Sequence, residues 1–318
     1  MRRHTIYLII FFLTSSPVLA QGKRSDELRA AFDFERQGQF ENVIATLKPR
    51  IDSHELQGSE LGSALLMLGV AFEDTGNFGE AQRCYERSLL ILEHDLSHTS
   101  EYSAALQNLG RLNTELGQLQ AAESMWLKAL HLRQQLGDHA ATTGSLTDLA
   151  GLALARNNTK QARKYLKQAA DESKLADDLI DGDFALLAET RGWLALAERR
   201  AAEAVQQYQL ALEFCERANG KQHWLTGWEH MLRGKAYAQE GDTQHALADM
   251  QQGLTILEHT LGRKNPKYFI SEIAYSQVLE QSGSHTEAVR LKTAAEQASK
   301  EFYGAQCVGC TINIAAFR

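Results

Sequence analysis

The sequence has few of the residues that interrupt helices or cross-link chains. It contains 3 prolines and 4 cysteines in 318 residues. The shortage of proline favours long helices, because a proline in a helix interior costs about 3 kcal/mol. An apolar content of 44% is enough for a large buried core. It excludes a disordered or fibrous chain.

The motifs of the common enzyme classes are also missing. The chain has no GxSxG, HExxH, phosphate-binding loop or dinucleotide-binding glycine motif. Its 11 histidines are scattered. His94 and His98 have the i, i+4 spacing of a metal site, but a helix end running into a loop explains them equally well. The sequence therefore predicts a protein that is not an enzyme and that needs no cofactor or metal.

The first twenty residues have the layout of a secretory signal peptide. Arg2 and Arg3 precede an apolar run over residues 6–13, and small or aliphatic residues lead up to Ala20. The apolar run is too short to span a bilayer, which takes roughly 20 apolar residues. We expect cleavage after Ala20 and a secreted or periplasmic mature protein, bacterial in form and free of the membrane. An uncleaved anchor is the alternative.

The charge balance excludes a further class of partner. Removing Arg2 and Arg3 from the 33 basic residues leaves 31 against 40 acidic residues, a formal charge of −9. Binding to nucleic acid relies on clustered lysine and arginine at the phosphates. We therefore expect a protein or peptide partner and no nucleic acid, with an oligomeric state that the sequence leaves open.

Two cysteines stand close together near the end of the chain. Cys307 and Cys310 form the motif CVGC, and exported thiols tend to oxidise. A small structural disulfide is our first interpretation. Free thiols, or a metal site completed by another chain, are the alternatives. The two other cysteines, Cys84 and Cys215, lie in helical patterns and too far apart in the repeats described next to pair with each other.

One spacing of small residues recurs seven times along the chain. A small residue that we call the marker returns every 38 to 42 residues, at Ala31, Gly69, Gly110, Ala150, Gly192, Gly234 and Ser276. Twelve residues after each marker stand Val43, Ala81, Ala122, Ala162, Ala204, Ala246 and Ala288. A fixed period of this length is typical of repeat proteins, in which each unit packs against the next.

Each unit has the pattern of two helices joined by a turn. Small residues on both helices let the backbones approach closely, and the apolar periodicity is helical on both sides of the turn. We expect bulky residues of the second helices to fill the gap toward the next unit: Tyr85, Trp126, Tyr208 and Met250. We expect a left-handed backbone, which ends a helix, at the turn glycines: Gly38, Gly76, Gly117, Gly241 and Gly283.

The repeated pattern resembles the tetratricopeptide repeat (TPR), and its long period is similar to the repeats of kinesin light chain. Residues 106–137 carry the resemblance most clearly. It implies an all-α fold, a right-handed α-solenoid of about seven helical hairpins with a short extended C-terminal tail. The repeats are expected near residues 24–58, 59–99, 100–139, 140–181, 182–223, 224–265 and 266–302, and the tail over 303–318.

The resemblance also implies where a partner binds. In the family, the first helices line a concave groove, and the positions that match are Gln107, Asn108, Arg111, Glu189, Trp193, Trp228, Met231 and Lys235. Asn108 matches an asparagine that in the family commonly contacts the backbone of a bound peptide. Packing between repeats is the alternative for the two tryptophans. The expected function is a non-enzymatic scaffold or adaptor that binds a protein or peptide segment. The alternative is a thiol-redox or metal-handling protein that acts through CVGC and docks through its repeats.

Overall fold

The protein is all-α in the part of the chain that the structure, a computed structural model, describes: residues 26–96 and 100–306. Fourteen helices fill these two ranges, with no strand between them. Their bounds are α1 Asp26–Arg36, α2 Phe40–Asp52, α3 Gly58–Asp74, α4 Phe78–Leu96, α5 Ser100–Glu115, α6 Leu119–Leu136, α7 His139–Ala155, α8 Thr159–Glu172, α9 Asp181–Ala197, α10 Ala201–Asn219, α11 Trp224–Glu240, α12 Thr243–Leu261, α13 Pro266–Gln281 and α14 His285–Gln306. The predicted signal peptide, His98, Cys307 and Cys310 lie outside the described residues, as does the side chain of His94.

The helices fall into seven pairs, one for each predicted repeat. The predicted all-α solenoid architecture of helical hairpins is therefore confirmed. Two bounds differ slightly from the expected ones. Helix α3 begins at Gly58, one residue before the expected start of its repeat. Helix α14 continues through Gln306, so residues 303–306 are helical where an extended tail was expected.

The contacts within the chain divide it into two compact units, with the boundary between Asp183 and Phe184. Unit 1 contains α1 to α8 and the first residues of α9, and unit 2 contains the rest of α9 and α10 to α14. We call the odd-numbered helices the first helices. Within unit 1, α3 contacts both α1 and α5, and within unit 2, α11 contacts α13. The first helices of consecutive repeats therefore lie side by side inside each unit.

The recurring small residues lie where the helices of a hairpin meet. The six alanines that stand twelve residues after a marker are all buried, five of them completely: Ala81, Ala122, Ala162, Ala204, Ala246 and Ala288. At the marker glycines, an added Cβ would come within 2.5 Å of Tyr85 at Gly69, 2.5 Å of Trp126 at Gly110 and 2.9 Å of Tyr208 at Gly192. Glycine is required there because a bulky side chain of the same hairpin occupies the space.

The bulky residues have a contact that the sequence analysis did not predict. Tyr85, Trp126, Tyr208 and Met250 were expected to fill the gap toward the next repeat, and the hydroxyl of Tyr85 does lie 3.4 Å from Arg111 of the next repeat. Each of the four also lies over the marker glycine of its own hairpin. Trp126 also donates from its Nε1 to the backbone oxygen of Gln107 on its partner helix, at 2.9 Å. The bulky residue thus joins the two helices of one repeat before it reaches the next one.

The turns between paired helices share one backbone conformation. The residue seven after each marker has a positive φ in all seven hairpins. Glycine holds this position in five of them, with φ between 69° and 95°, and Asn157 and Arg199 hold it in the other two, at 58° and 61°. The predicted left-handed turn glycines are confirmed. The two exceptions are residues for which this conformation costs more than it does for glycine.

Two further expectations concern membranes and thiols. None of the helices in the described part of the chain is long and apolar enough to cross a bilayer. Cys84 in α4 and Cys215 in α10 are free and buried, as expected for helix residues of the core.

Candidate functional site

Three of the predicted groove residues lie on α5 in unit 1, and one of them forms a buried ion pair. The guanidinium of Arg111 contacts the carboxylate of Glu73 on α3 through Nε and Nη2, both at 2.9 Å. The hydroxyl of Tyr85 donates to the same carboxylate at 2.7 Å. Arg111 and Glu73 are 6% and 2% exposed. Arg111 therefore holds two neighbouring repeats together, and its charge is matched inside the unit.

Gln107 belongs to a second buried polar cluster, centred on Arg133 of α6. Arg133 donates from Nε to the hydroxyl of Ser103, and from Nη1 to Gln107 Oε1, Ser145 Oγ and the backbone oxygen of Ala141. These oxygens come from α5 and α7, so Arg133 links three helices. They are all neutral, and burial lowers the pKa of Arg133 more than nearby carboxylates raise it. Gln107 is thus also engaged in the interior of the unit.

Asn108, the third predicted residue of α5, has a side-chain donor without a hydrogen-bond partner. Its side chain is 7% exposed, and its Nδ2 is buried without a hydrogen-bond partner. A buried donor left unpaired costs roughly 1–3 kcal/mol. Such groups are uncommon in folded proteins, and each one calls for an explanation such as a ligand or a water molecule.

The predicted residue Glu189 in unit 2 is hydrogen-bonded to another carboxyl group. Its partner is Glu229 of α11, and the two side chains are 6% and 1% exposed. Burial raises the pKa of Glu189 to about 8. Burial first, and then the charge of Glu189, raise the pKa of Glu229 well above its ordinary value. At neutral pH the pair therefore holds protons, because two adjacent buried carboxylates cannot both ionise without a cation.

The aromatic and aliphatic members of the predicted groove lie beneath the surface of unit 2. Trp193, Trp228 and Met231 are 5%, 5% and 3% exposed. Met231 packs on α12, where its Sδ would lie 3.0 Å from a Cβ added at Gly253. Trp228 has a buried Nε1 without a hydrogen-bond partner. Lys235 is half-buried, and burial lowers its pKa to about 8.

In a charged network of unit 2, the buried carboxylate of Asp249 is paired with basic side chains. Asp249 of α12 accepts hydrogen bonds from Arg233 at 2.6 Å and from the His230 ring at 3.0 Å. Although burial alone would raise the pKa of Asp249, these bonds hold it below its ordinary value. The second ring nitrogen of His230, Nε2, is buried without a hydrogen-bond partner.

Two residues of these clusters were not predicted from the sequence, although the repeat alignment contains a signal for each. Glu229 stands five residues before its marker, where the first repeat has Asp26 and the other five have Ala64, Ala105, Ser145, Leu187 and Ser271. Arg133 stands 23 residues after its marker, where the other repeats have His54, Leu92, Ser173, Cys215, Leu257 and Ser299. A charged residue at a position that most other repeats fill with small or apolar ones would have identified both.

The described part of the chain contains no group of three or more histidine, cysteine, aspartate or glutamate side chains that could hold a metal ion. The candidate residues on the first helices therefore offer hydrogen-bond donors, two carboxyl groups and aromatic rings. Such groups bind polar and aromatic parts of a ligand through hydrogen bonds and packing.

The family of the chain is shown by its repeats. The tetratricopeptide repeat family model matches residues 60–130 and again 102–171. Together with the seven hairpins, this match over residues 60–171 confirms the resemblance predicted from the sequence: the chain contains tetratricopeptide repeats. Comparison of the sequence with curated proteins gave no significant match.

Solved structures with the same type of fold come from proteins of low sequence identity. BtubC (BKLC) from P. vanneervenii is 21% identical over 72% of this chain and 91% of its own, with a TM-score of 0.53. The Rap conjugation gene regulator of the plasmid pLS20, solved with the Phr* peptide, is 15% identical over 90% of this chain and 76% of its own, with a TM-score of 0.68. A Rap protein solved with the competence and sporulation factor is 13% identical over 88% and 77%, with a TM-score of 0.61. At these identities the likeness shows the fold.

Proposed function

We propose that this chain is an exported, non-enzymatic scaffold whose first helices bind an extended segment of a protein or peptide partner. The fold supports a binding role, because stacked helical hairpins present a continuous layer of first helices to a ligand. Two of the solved structures with this fold, both Rap proteins, contain a bound peptide or signalling factor. The proposed export depends on the signal-like residues 1–20.

The observation that carries the proposal is the position of the unpartnered polar atoms. Asn108 Nδ2 lies on a first helix of unit 1, and Trp228 Nε1, Glu229 Oε2 and His230 Nε2 lie on a first helix of unit 2. Each of these atoms lacks a hydrogen-bond partner inside the protein. A ligand that supplied the missing partners would recover the free energy that the burial of each group costs.

An extended backbone suits these atoms better than a small apolar molecule does. A peptide presents a carbonyl acceptor and an amide donor at every residue other than proline. In each unit taken by itself, its carbonyl oxygens match a donor just beneath the surface: Asn108 in unit 1, at 7% exposure, and Trp228 in unit 2, at 5%. The indole rings of Trp193 and Trp228 add apolar area, which carries much of the binding energy where it is desolvated.

The experiment selects random peptides displayed on phage against the purified full chain and then measures the affinity of the enriched peptides. Changing Asn108→Ala removes the amide donor, and Trp228→Phe removes the indole donor while keeping an aromatic ring. We expect each change to weaken binding by about 5- to 100-fold, the equivalent of one lost hydrogen bond of roughly 1–3 kcal/mol.

The matched control is Asn42→Ala, which removes an exposed asparagine from the second helix α2. Its affinity should equal that of the unchanged protein. A selection that enriches no peptide would contradict the proposal. Equal binding by the Asn108→Ala, Trp228→Phe and Asn42→Ala proteins, with their folds intact by circular dichroism, would show that the first helices do not bind the partner.

A further inference from the structure

The two carboxyl groups of Glu189 and Glu229 form an acidic pair that lacks a counter-charge. They lie on the consecutive first helices α9 and α11 and are hydrogen-bonded to each other. Within the described part of the chain no cation contributes to the pKa of either group. Apart from Glu189, no group bonds to the buried Glu229 Oε2. Buried carboxylates in folded proteins are normally paired with a cation or bound to a metal. This pair therefore supplies the negative half of an ion pair, and the cation is missing.

The helices packed around the pair supply no cation to it. From α10, the thiol of Cys215 faces the two carboxyl groups, and they raise its pKa further after burial does. From α12, Asp249 is the charged group, and it is held by Arg233 and His230.

The remaining basic groups near these helices are not paired with the two carboxyl groups. Lys235 follows Glu229 by six residues on α11, and burial alone lowers its pKa, with no contribution from either carboxyl group. The ammonium group of Lys267 on α13 lies 4.9 Å from the ring centre of Trp224 at the start of α11. Arg191 follows Glu189 by two residues on α9, a spacing at which side chains point to different sides of a helix. The positive charge that the pair requires must therefore come from outside this set of residues.

We infer that the Glu189–Glu229 pair is the subsite for a cationic side chain, arginine or lysine, of the segment that the first helices bind. The inference rests on the proposed function and specifies the chemistry of the ligand. A guanidinium group can donate to both carboxylates at once, and one of its hydrogen bonds can reach the unpartnered Oε2. Trp193 lies one helical turn from Glu189, where its indole ring can flank the cation. Glu189, the more exposed carboxyl at 6%, is the side from which the cation enters.

Binding of a cation at this subsite must release a proton. The pair holds protons at neutral pH, since burial raises the pKa of Glu189 to about 8. A cation prefers the ionised pair, so its affinity should rise by up to about tenfold per pH unit below that pKa and level off above it. A peptide bound only through its backbone would show no such dependence.

The test uses a synthetic hexapeptide library in two versions that differ at one position, which carries either arginine or citrulline. Citrulline keeps the shape of arginine and lacks its charge. Retention of both pools on the immobilised full chain is compared at about pH 6, pH 7 and pH 8.5. We expect the arginine pool to be retained more strongly, with a ratio of the two retentions that grows severalfold to tenfold with each pH unit up to about pH 8.

Matched variants assign the effect to the pair. In the Glu189→Gln, Glu229→Gln double variant the ratio should fall toward one and lose its pH dependence. Glutamine preserves the size of the side chains, and Glu189→Gln alone serves if the double variant does not fold. Glu240→Gln, which changes an exposed acid of the same helix α11, should behave like the unchanged protein.

The possible failures differ for the inference and for the proposed function. If both pools are retained equally at every pH, the subsite does not exist, and the binding of extended peptides stands. If neither pool is retained above an unrelated protein, the proposed function fails and the subsite fails with it. A ratio that stays high in the double variant would place the cation elsewhere and overturn the inference.

Discussion

Two contacts between first helices, one in each unit of this protein, differ in how they treat buried charge. In unit 1, Glu73 meets Arg111 from the next repeat and also accepts a hydrogen bond from Tyr85, so its charge is neutralised by a cation. In unit 2, Glu189 meets Glu229 from the next repeat, and the pair is made of two acids and no cation. The same kind of contact between first helices thus produces a completed ion pair in one unit and an incomplete one in the other.

The difference separates a structural role from a binding role. A completed buried pair holds repeats together, and its charges already neutralise each other. An incomplete pair weakens the free protein and leaves a group for a ligand to bind. Arg111 was predicted as a groove residue, yet its interactions are those of a clamp between α3 and α5. Glu189 retains the free chemistry that a binding residue needs.

The largest expected effect comes from breaking the completed pair. Arg111→Ala leaves the carboxylate of Glu73 buried with only the hydroxyl of Tyr85 as a partner, which should lower the stability of unit 1 by about 3–5 kcal/mol. Hydrogen exchange read by mass spectrometry measures this for each unit separately. Exchange should accelerate in α3 to α6 and stay unchanged in α11 to α14.

Two further variants control this prediction. Arg87→Ala removes an exposed arginine from α4, and its exchange should match that of the unchanged protein. The double variant Arg111→Met, Glu73→Gln removes both charges and should lose less stability than Arg111→Ala alone. If Arg111→Ala costs less than about 1 kcal/mol, the pair does not clamp the repeats, and Arg111 becomes available as a binding residue.

The second effect is the pH dependence of unit 2. The pKa of Glu189 is about 8 in the folded protein and near 4.5 when the chain is unfolded. The folded state therefore binds the proton more tightly, and its stability is full below about pH 4.5 and declines as the pH rises to about 8. The limiting slope is roughly 1.4 kcal/mol per pH unit for one group.

Glutamine at position 189 should remove this decline. In Glu189→Gln, exchange of α9 and α11 at about pH 8 should be slower than in the unchanged protein, and less dependent on pH. Unit 1 provides a comparison, because burial also raises the pKa of Glu35 in α1 to about 8. Glu35→Gln should change the pH dependence of unit 1 and leave that of unit 2 as it was. An unchanged slope in unit 2 of Glu189→Gln would show that the pair is not the titrating group.

The fold could be predicted from the sequence because the same pattern recurs in seven repeats, so that no single ambiguous position decides the assignment. The small residues at fixed offsets, such as Ala81 and Ala246, depend only on the close approach of two helices, which every repeat shares. The site could be predicted only as a region. Offsets within the family place Arg111 and Glu189 at related positions, but what each side chain meets depends on one residue of a neighbouring helix, Glu73 in one case and Glu229 in the other.

The third effect concerns a feature that both units share, the left-handed turn between paired helices. Asn157 in unit 1 and Arg199 in unit 2 hold this conformation where the other repeats have glycine. Asn157→Gly and Arg199→Gly should each change stability by about 1 kcal/mol or less, because relief of strain is offset by the greater flexibility of glycine when unfolded. Arg199→Gly should stabilise more, since asparagine tolerates a left-handed backbone better than arginine does. Thermal denaturation measures both, and a large loss at Arg199 would reveal a contact of its side chain.

The smallest expected effect is at the two cysteines near the C-terminus, which lie outside the described residues. If the first helices bind the partner, replacing Cys307 and Cys310 with serine should leave peptide affinity unchanged, because the donors of Asn108 and Trp228 and the carboxyl pair of Glu189 remain. Affinity is measured with the peptides that the phage selection enriches, with and without a reducing agent. A loss of binding in the serine variant, or on reduction of the unchanged protein, would favour the alternative in which CVGC acts and the repeats only dock. Equal affinity in all four measurements would leave recognition to the first helices, and the unequal treatment of charge in the two units would then decide which ligands they accept.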